Sequence, residues 1–326
     1  MDTTKGFTRL LGVDIGGTKC AIIYGIEQQG ELQVKDKIRF ETTKVDETLQ
    51  NIMDNLTIMM TRHGLTRENT SAIGISCGGP LDSKTGVVMS PPNLPGWDNI
   101  PIVKMVENHT GIRVGLQNDA NACALAEWKF GAGRGTQNMV FMTFGTGLGA
   151  GIIINGELYS GTNDNAGELG HIRLAPDGPI GYGKRGSFEG FCSGGGIAQL
   201  ARQKIEEAYQ QGQSVPWCAE KDISDVNARI VAEAAQQEDP LAREIFRISS
   251  DYLGMGLSIV VDILNPEMIV IGSIYARNEE LMRPVMQAVM EREALPGANR
   301  VCRVVPTALG EQIGDFASLS IAANLR

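Results

Sequence analysis

Four polar residues in this chain have the types and surroundings that acid–base chemistry on a hydroxylated substrate requires. Asn118-Asp119 stands where an apolar run, Ile112–Leu116, gives way to a helical pattern from Ala120 to Phe130. A carboxylate at a strand end, under a helix N-terminus, can accept a proton from a substrate hydroxyl. The same place equally suits an Asp or Asn that only caps the helix. Downstream, GTNDNAGELGH (161–171) sets Glu168 three residues before His171, one of three histidines in the chain. Glu189 follows within GSFEG, and Asn93 lies in the Pro-rich stretch SPPNLPGW. Taken singly, Glu189 is surface charge and Asn93 is turn chemistry.

Two glycine turns supply a second kind of chemistry. In LLGVDIGGTKCAIIYG (10–25), apolar runs flank Asp14, Gly16, Gly17, Thr18 and Lys19, a hairpin rather than a strand followed by a helix. Backbone N–H groups of such a turn converge on an anion, with the Thr18 hydroxyl and the Lys19 charge beside them. Asp14, at the strand end, is placed to hold a hydrated cation next to that anion. A Gly-Gly pair alone is a common tight turn, but MVFMTFGTGLGAGIIING (139–156) repeats the arrangement around Thr146 and Gly147. Two such hairpins point to two similar domains that share one cleft. Gly145–Ala150 also spells the dinucleotide-binding glycine pattern. That pattern demands a following helix, and strand follows instead.

The elements that must position these residues follow from periodicity. Strand, turn, strand, turn, strand occupies 10–40. A helix is expected over 48–62, a strand over 72–76, a helix over 102–109, a strand over 112–116 and a helix over 120–130. This order is that of a ribonuclease H-like domain. After the second hairpin and a Gly-rich charged loop (160–196), helices are expected near 194–211, 225–236 and 240–263. A strand follows over 268–272, a helix over 279–291, a strand over 301–306 and a closing helix over 313–324. The expected domains are 1–130 and 131–312, the second carrying the loop, with the closing segment 313–326 packed back on the first.

Composition narrows the class. At 326 residues the chain suits two domains. A net charge of -9 and no basic run longer than a dipeptide exclude a phosphate-backbone binder. Six scattered cysteines form no C-x-x-C pair, so neither a disulfide framework nor a cysteine zinc site is signalled. The opening MDTTKGFTRL lacks a signal-peptide core, no run approaches a membrane span, and cytoplasmic residence is expected.

Together these motifs resemble the ROK family of sugar kinases, from about Leu10 to the carboxyl terminus. DIGGTK (14–19) and Phe144–Gly149 resemble its two phosphate motifs. Val270-Ile-Gly272-Ser273 resembles its adenosine loop, whose usual form has two glycines. Asn118-Asp119-Ala-Asn121 and Glu168-Leu-Gly-His171 resemble its catalytic and sugar motifs. The resemblance implies an actin-like ATPase fold and ATP- and Mg²⁺-dependent phosphorylation of a hexose or N-acetylhexosamine, glucose first among them. It implies Asp119 as general base and sugar contacts from Gly79, Asn93, Asn118, Glu168, His171 and Glu189. Nucleotide contacts would come from Asp14, Gly16, Gly17, Thr18, Lys19, Thr146, Gly147, Gly272 and Ser273, with Mg²⁺ near Asp14. A homodimer is the family's usual arrangement.

The family also includes repressors with an amino-terminal DNA-binding region. Only nine residues precede Leu10, so the kinase branch is expected. A catalytically silent sugar-binding regulator and an actin-like ATPase are the rival classes; intact Asp119 argues against the first, Glu168 and His171 against the second. One departure concerns metal. Where the family commonly has three zinc-binding cysteines, this chain has Ile180, Tyr182 and Ser187. No structural zinc is therefore expected, and the loop is expected to be held by packing of Tyr182, Phe188 and Phe191, with hydrogen bonds replacing the metal.

Overall fold

The computed structural model describes residues 6–325. Its elements in chain order are β1 (Thr8–Ile15), β2 (Lys19–Gln28), β3 (Glu31–Glu41), α1 (Val45–His63), β4 (Ala72–Cys77), β5 (Leu81–Asp82), β6 (Val87–Val88), α2 (Ile102–Thr110), β7 (Val114–Asn118) and α3 (Asp119–Phe130). There follow β8 (Met139–Met142), β9 (Ala150–Ile154), β10 (Glu157–Leu158), β11 (Ile180–Gly181), β12 (Lys184–Arg185), α4 (Phe188–Phe191), α5 (Gly194–Gln210), α6 (Ala228–Gln236) and α7 (Pro240–Leu264). The last are β13 (Met268–Ile271), α8 (Ile274–Arg277), α9 (Glu279–Glu293), α10 (Pro296–Val301), β14 (Arg303–Pro306) and α11 (Ile313–Asn324).

Two five-stranded sheets repeat one topology, β3-β2-β1-β4-β7 and β10-β9-β8-β13-β14. In the first, β1 pairs antiparallel with β2 but parallel with β4, and β4 is parallel to β7. In the second, β13 runs parallel to both β8 and β14. Central strands covered on both faces are continuous apolar runs, and every residue of β4, β8 and β13 is buried. The edge strand β3 instead mixes buried and exposed positions. The chain divides into two units: Met1–Gln137 with Gly151–Ala166 and Ala308–Arg326, and Asn138–Ala150 with Gly167–Thr307. Each has its own apolar core, one around Leu11, Ile52, Ile75 and Trp97, the other around Phe141's neighbours Val140 and Met142, Phe188, Phe246 and Ile269.

Helix α1 buries Leu49, Ile52, Met53, Leu56 and Met59 on one stripe. It ends at Gly64, whose φ of 58° lets the next N–H, Leu65, reach back to Met60 O at 2.8 Å. Three boundaries differ from expectation: the strand expected over 112–116 is Val114–Asn118, the helix near 225–236 begins at Ala228, and 301–306 is not strand throughout, because α10 runs to Val301 and β14 begins at Arg303. Pro296 presets the helical φ at the start of α10, which local apolarity does not signal.

Helix α11 packs on β1, β4 and α3, all within the first unit. The approach is so close that a Cβ on Gly74 would lie 2.0 Å from Ser318 O, and one on Gly12 2.2 Å from Ser318 Oγ. Gly74→Ala must therefore push α11 off the sheet, and we expect a loss of about 3 kcal/mol. Urea unfolding of the variant measures it; an unchanged midpoint would show that the helix yields at no cost.

Candidate functional site

Asn118 and Asp119 divide two tasks that one residue could have performed. The Asn118 side chain caps α3, accepting the Asn121 N–H at 2.7 Å. Asp119, the first helical residue, accepts the Ala120 N–H at 2.8 Å, and a carboxylate with about four acceptor sites retains capacity beyond that. Solvent reaches the side chain. Burial of the carboxyl by surrounding protein nonetheless raises its pKa above the ordinary range, opposed by the N–H groups of Ala120 and Asp119. Asn121, completely buried, turns inward and donates to Gln117 Oε1 at 3.1 Å.

The first glycine turn closes through the Gly16 N–H on Lys19 O at 3.1 Å. A Cβ on Gly16 would meet Lys19 O at 2.8 Å, and one on Gly17 would meet Asn93 O at 2.5 Å. Both glycines are therefore required by close backbone approach. Thr18 and Lys19 are exposed. Asn93 is held by its loop, in which Trp97 is buried and the Ser90 N–H donates to Trp97 O at 2.9 Å. Its Oδ1 would lie 3.0 Å from a Cβ on Gly78, so Asn93 sits between the glycine turn and the strand end before Gly79.

Asp14 is half-buried at the end of β1. Its pKa is pushed up to about 6, chiefly by burial, with Lys37 and Arg39 opposing and Asp315 and Asp119 adding to it. Lys37 is ion-paired with Asp315 at the start of α11. Neither residue was singled out from the sequence, since β3 and α11 bring them together from 278 positions apart.

The second turn is built in the other unit. The Thr143 N–H donates to Gly149 O at 2.9 Å, the Gly149 N–H to Thr143 Oγ1 at 2.9 Å, and the Gly145 N–H to Gly147 O at 3.1 Å. Glu189 reaches this turn: its Oε2 accepts the Leu148 N–H at 3.0 Å and would lie 3.0 Å from a Cβ on Gly147. A residue expected at the sugar is thus joined to the phosphate turn. Gly272 and Ser273 end β13 beside it, with the Ile274 N–H on Phe144 O at 2.8 Å. Ser273 has φ 58°, a conformation that suits glycine and that a serine here adopts where the family usually has a second glycine.

A cavity of about 840 Å³ opens at this point. It is bounded by Gly145-Thr146, Gly194-Gly195, one face of α6 (Arg229, Glu233, Gln236) and Ser273–Asn278. Its size and mixed polar and apolar lining suit a mononucleotide. The N-terminus of the 17-residue α5 faces the turn, with the Gly194 N–H on Gly145 O at 2.7 Å, and such termini favour anions. Ser193 caps α5 through the Gly196 N–H at 3.0 Å. The α5 terminus and the α6 face were missed; Ser193-Gly-Gly-Gly196 opening an apolar-periodic helix was the available signal.

Glu168 is exposed just before a single 3₁₀ turn, Leu169–His171. His171 is half-buried. Lys184 Nζ donates to its carbonyl at 2.6 Å, and the Tyr182 ring meets its imidazole edge-on, centroids 4.9 Å apart. The expected packing of Tyr182 is corrected: its side chain is 69% exposed, whereas Phe188 and Phe191 are buried. The β11–β12 hairpin turns at Tyr182 (φ 45°) with that ring outside the core, so the loop is ordered by the buried Phe188 and Phe191 and by hydrogen bonds. Ser187 caps α4, accepting the Gly190 N–H at 3.0 Å. Arg173 bonds Arg185 O at 2.6 Å, and the N–H of Leu174 reaches Gly186 O at 2.9 Å.

Zinc does not fit these residues. Ile180 and Ser187 offer no soft donor, and no group of three or more His, Cys, Asp or Glu converges among the described residues. Asp14 by contrast provides the single carboxylate that Mg²⁺ commonly takes together with substrate phosphates.

A sequence model of the ROK family matches residues 10–324. The glucokinase of Halalkalibacterium halodurans is 33% identical over 292 residues, spanning 88% of this chain and 86% of its own. The DNA-binding transcriptional repressor Mlc of Escherichia coli is 27% identical over 291 residues, 88% of this chain but 67% of the repressor. Among solved structures, a ROK family glucokinase from Streptomyces griseus in complex with glucose and AMPPNP aligns with a TM-score of 0.72 at 29% identity, covering 97% of this chain and 98% of that one. The actin-like ATPase fold expected from the motifs is thereby shown.

Two predictions come from this geometry. Asp14 binds its proton more tightly folded (about 6) than unfolded (3.8), so its contribution to stability is greatest below about pH 4 and is lost as pH rises through 6. Asp14→Asn should melt higher than the unmodified protein at pH 7–8, by a few degrees, and no higher at pH 4; a lower melting point at pH 8 would refute the burial account. The second concerns zinc. Elemental analysis should find substoichiometric zinc, and activity should return after a strong chelator once Mg²⁺ is resupplied. One tightly held zinc per chain would overturn it.

Proposed function

This chain belongs to the ROK family and is an ATP-dependent sugar kinase, and we propose that it phosphorylates glucose at the 6-hydroxyl with Asp119 as general base. The observation that carries the base assignment is the Asn118 cap. Because Asn118 satisfies the Asn121 N–H, Asp119 is not consumed as a cap and its carboxylate is open to a proton. A pKa raised by burial also makes it the stronger acceptor, since proton transfer improves as the base approaches working pH.

In this reading ATP lies in the cavity beside Gly145-Thr146, its base toward α6 and Ser273, its phosphates toward the Gly147 turn and the α5 N-terminus. The Asp14–Lys19 turn, closed by the Gly16 N–H, would contribute the Gly17 N–H, the Thr18 hydroxyl and the Lys19 charge to the phosphate being transferred. Asp14 and the phosphate oxygens would hold Mg²⁺, which when bound spreads the charge on the γ-phosphate. Phosphoryl transfer asks little covalent chemistry of the protein, so positioning dominates. Gly79, Asn93, Asn118, Glu168, His171 and Glu189 would orient the sugar hydroxyls. The Leu148 N–H on Glu189 supports a link between sugar and nucleotide occupancy: the carboxylate that would bind the sugar also braces the phosphate turn. A homodimer in the cytoplasm, usual for the family, completes the proposal, and sedimentation tests the assembly.

The test is ADP release over a panel of glucose, N-acetylglucosamine and N-acetylmannosamine, with Asp119→Asn alongside. Glucose should give the highest kcat/KM, and Asp119→Asn should lower kcat a hundredfold or so while sugar affinity persists. Near-normal turnover by the variant would remove Asp119 as base. A higher kcat/KM on either hexosamine would replace glucose, and sugar binding without ADP release would favour a silent regulator.

A further inference from the structure

The segment that leads into Glu168 and His171 carries a charge that is almost fully buried. Asp164 is 7% exposed and adopts φ 61°, a left-handed conformation that L side chains rarely occupy. Both of its carboxylate oxygens are used on one residue: Oδ2 accepts the Ser83 N–H at 2.8 Å and Oδ1 the Ser83 hydroxyl at 2.7 Å. Ser83 is itself fixed, since Asp82 Oδ1 accepts the N–H groups of Lys84 and Thr85 at 2.9 Å each. Lys84 Nζ adds a bond to Thr162 O at 3.1 Å. Burying a carboxylate without a salt bridge is expensive, and the left-handed backbone adds to the cost. Such a cost is not needed to stop a surface loop, because glycine would satisfy the backbone at this position.

The location supplies a reason. Ser83 lies in the β5–β6 turn, between Gly79 and Asn93, and Asp164 lies four residues before Glu168. The segment is also pinned at its far end, where the Ala150 N–H donates to Gly167 O at 3.1 Å. We propose that Asp164 is a positioning residue for sugar binding: by clamping Ser83 it fixes the path of Ser160–Ala166 into Glu168 against the turn that separates Gly79 from Asn93. Ordering this segment before the sugar arrives removes an entropy cost from binding. The proposal rests on the assignment of those flanking residues to the sugar. Asp164 touches no reacting atom; its effect passes through its neighbours.

The clamp predicts a selective effect. In Asp164→Gly the backbone is relaxed and both bonds are lost; in Ser83→Ala only the hydroxyl bond is lost. For both, the KM and the directly titrated Kd for glucose should rise, about tenfold in Asp164→Gly, with kcat within threefold and the KM for ATP unchanged. Asp164→Asn, which tolerates the left-handed conformation and keeps one acceptor, should restore part of the affinity. The double variant should be no worse than Asp164→Gly alone, because both changes break one contact. A melting temperature of Asp164→Gly equal to or above that of the unmodified protein would separate positioning from unfolding. Glucose KM within twofold of normal in both single variants overturns the clamp, as does an equal rise in the KM for ATP. Should the unmodified protein neither bind nor phosphorylate glucose, the functional reading fails and the clamp with it; normal glucose kinetics with unresponsive variants fail the clamp alone.

Discussion

The contact of α11 with the sheet of its own unit is the constraint on which the nearby site residues depend. Gly12 on β1 and Gly74 on β4 have no side chains, and Ser318 occupies the space where they would be. This lets a helix from the far end of the chain lie directly across two parallel strands whose ends carry Asp14 and the Cys77–Gly79 loop. The same approach brings Asp315 to Lys37 and places both charges within the field of Asp14. Within that field Lys37 opposes and Asp315 adds to the upward shift of Asp14, whose chief cause is burial. A carboxylate kept at a cost in the unliganded protein is consistent with the trade between stability and function at working sites.

Close approach also accounts for the glycine turns. Gly16, Gly17 and Gly147 are needed because carbonyl or carboxylate oxygens stand within about 3 Å of where a Cβ would be. Gly17 faces Asn93, and Gly147 faces Glu189, so each phosphate turn is in contact with a residue of the proposed sugar set. Neither contact requires a charge pair. The Gly17 contact is steric, and at the Gly147 turn the Leu148 N–H adds a hydrogen bond to Glu189.

The loop that precedes Glu189 carries no cysteine at the three positions where the family commonly binds zinc. Three thiolates and an imidazole would clamp such a loop at one point. Here the ordering is spread over several weaker contacts: Ser187 capping α4, Arg173 and Leu174 bonded to Arg185 and Gly186 carbonyls, and Lys184 on the His171 carbonyl. Tyr182, which could have filled the missing volume, does not pack inside and instead lies against the His171 ring. His171 is contacted by both Tyr182 and Lys184 of that short hairpin.

Local spacing by itself indicated the longer strands and helices of both halves and the two glycine turns. Such features depend on hydrophobic period, turn chemistry and short-range residue identity, all of which are written in adjacent positions. The identity of the helix cap was not decided at that level: Asn118 and Asp119 were both suitable, and only the bond to the Asn121 N–H separated their tasks. Nor did the sequence disclose Lys37 with Asp315, Asp164 with Ser83, or the face of α6 that completes the cavity beside Ser273. Those pairings join residues from 81 to 278 positions apart, or helices whose exposed faces carry no periodic signal. Long-range packing creates them, because burial and backbone approach select which of many polar side chains meet. The candidate residues were therefore legible in the chain, and which of them meet was decided by the fold.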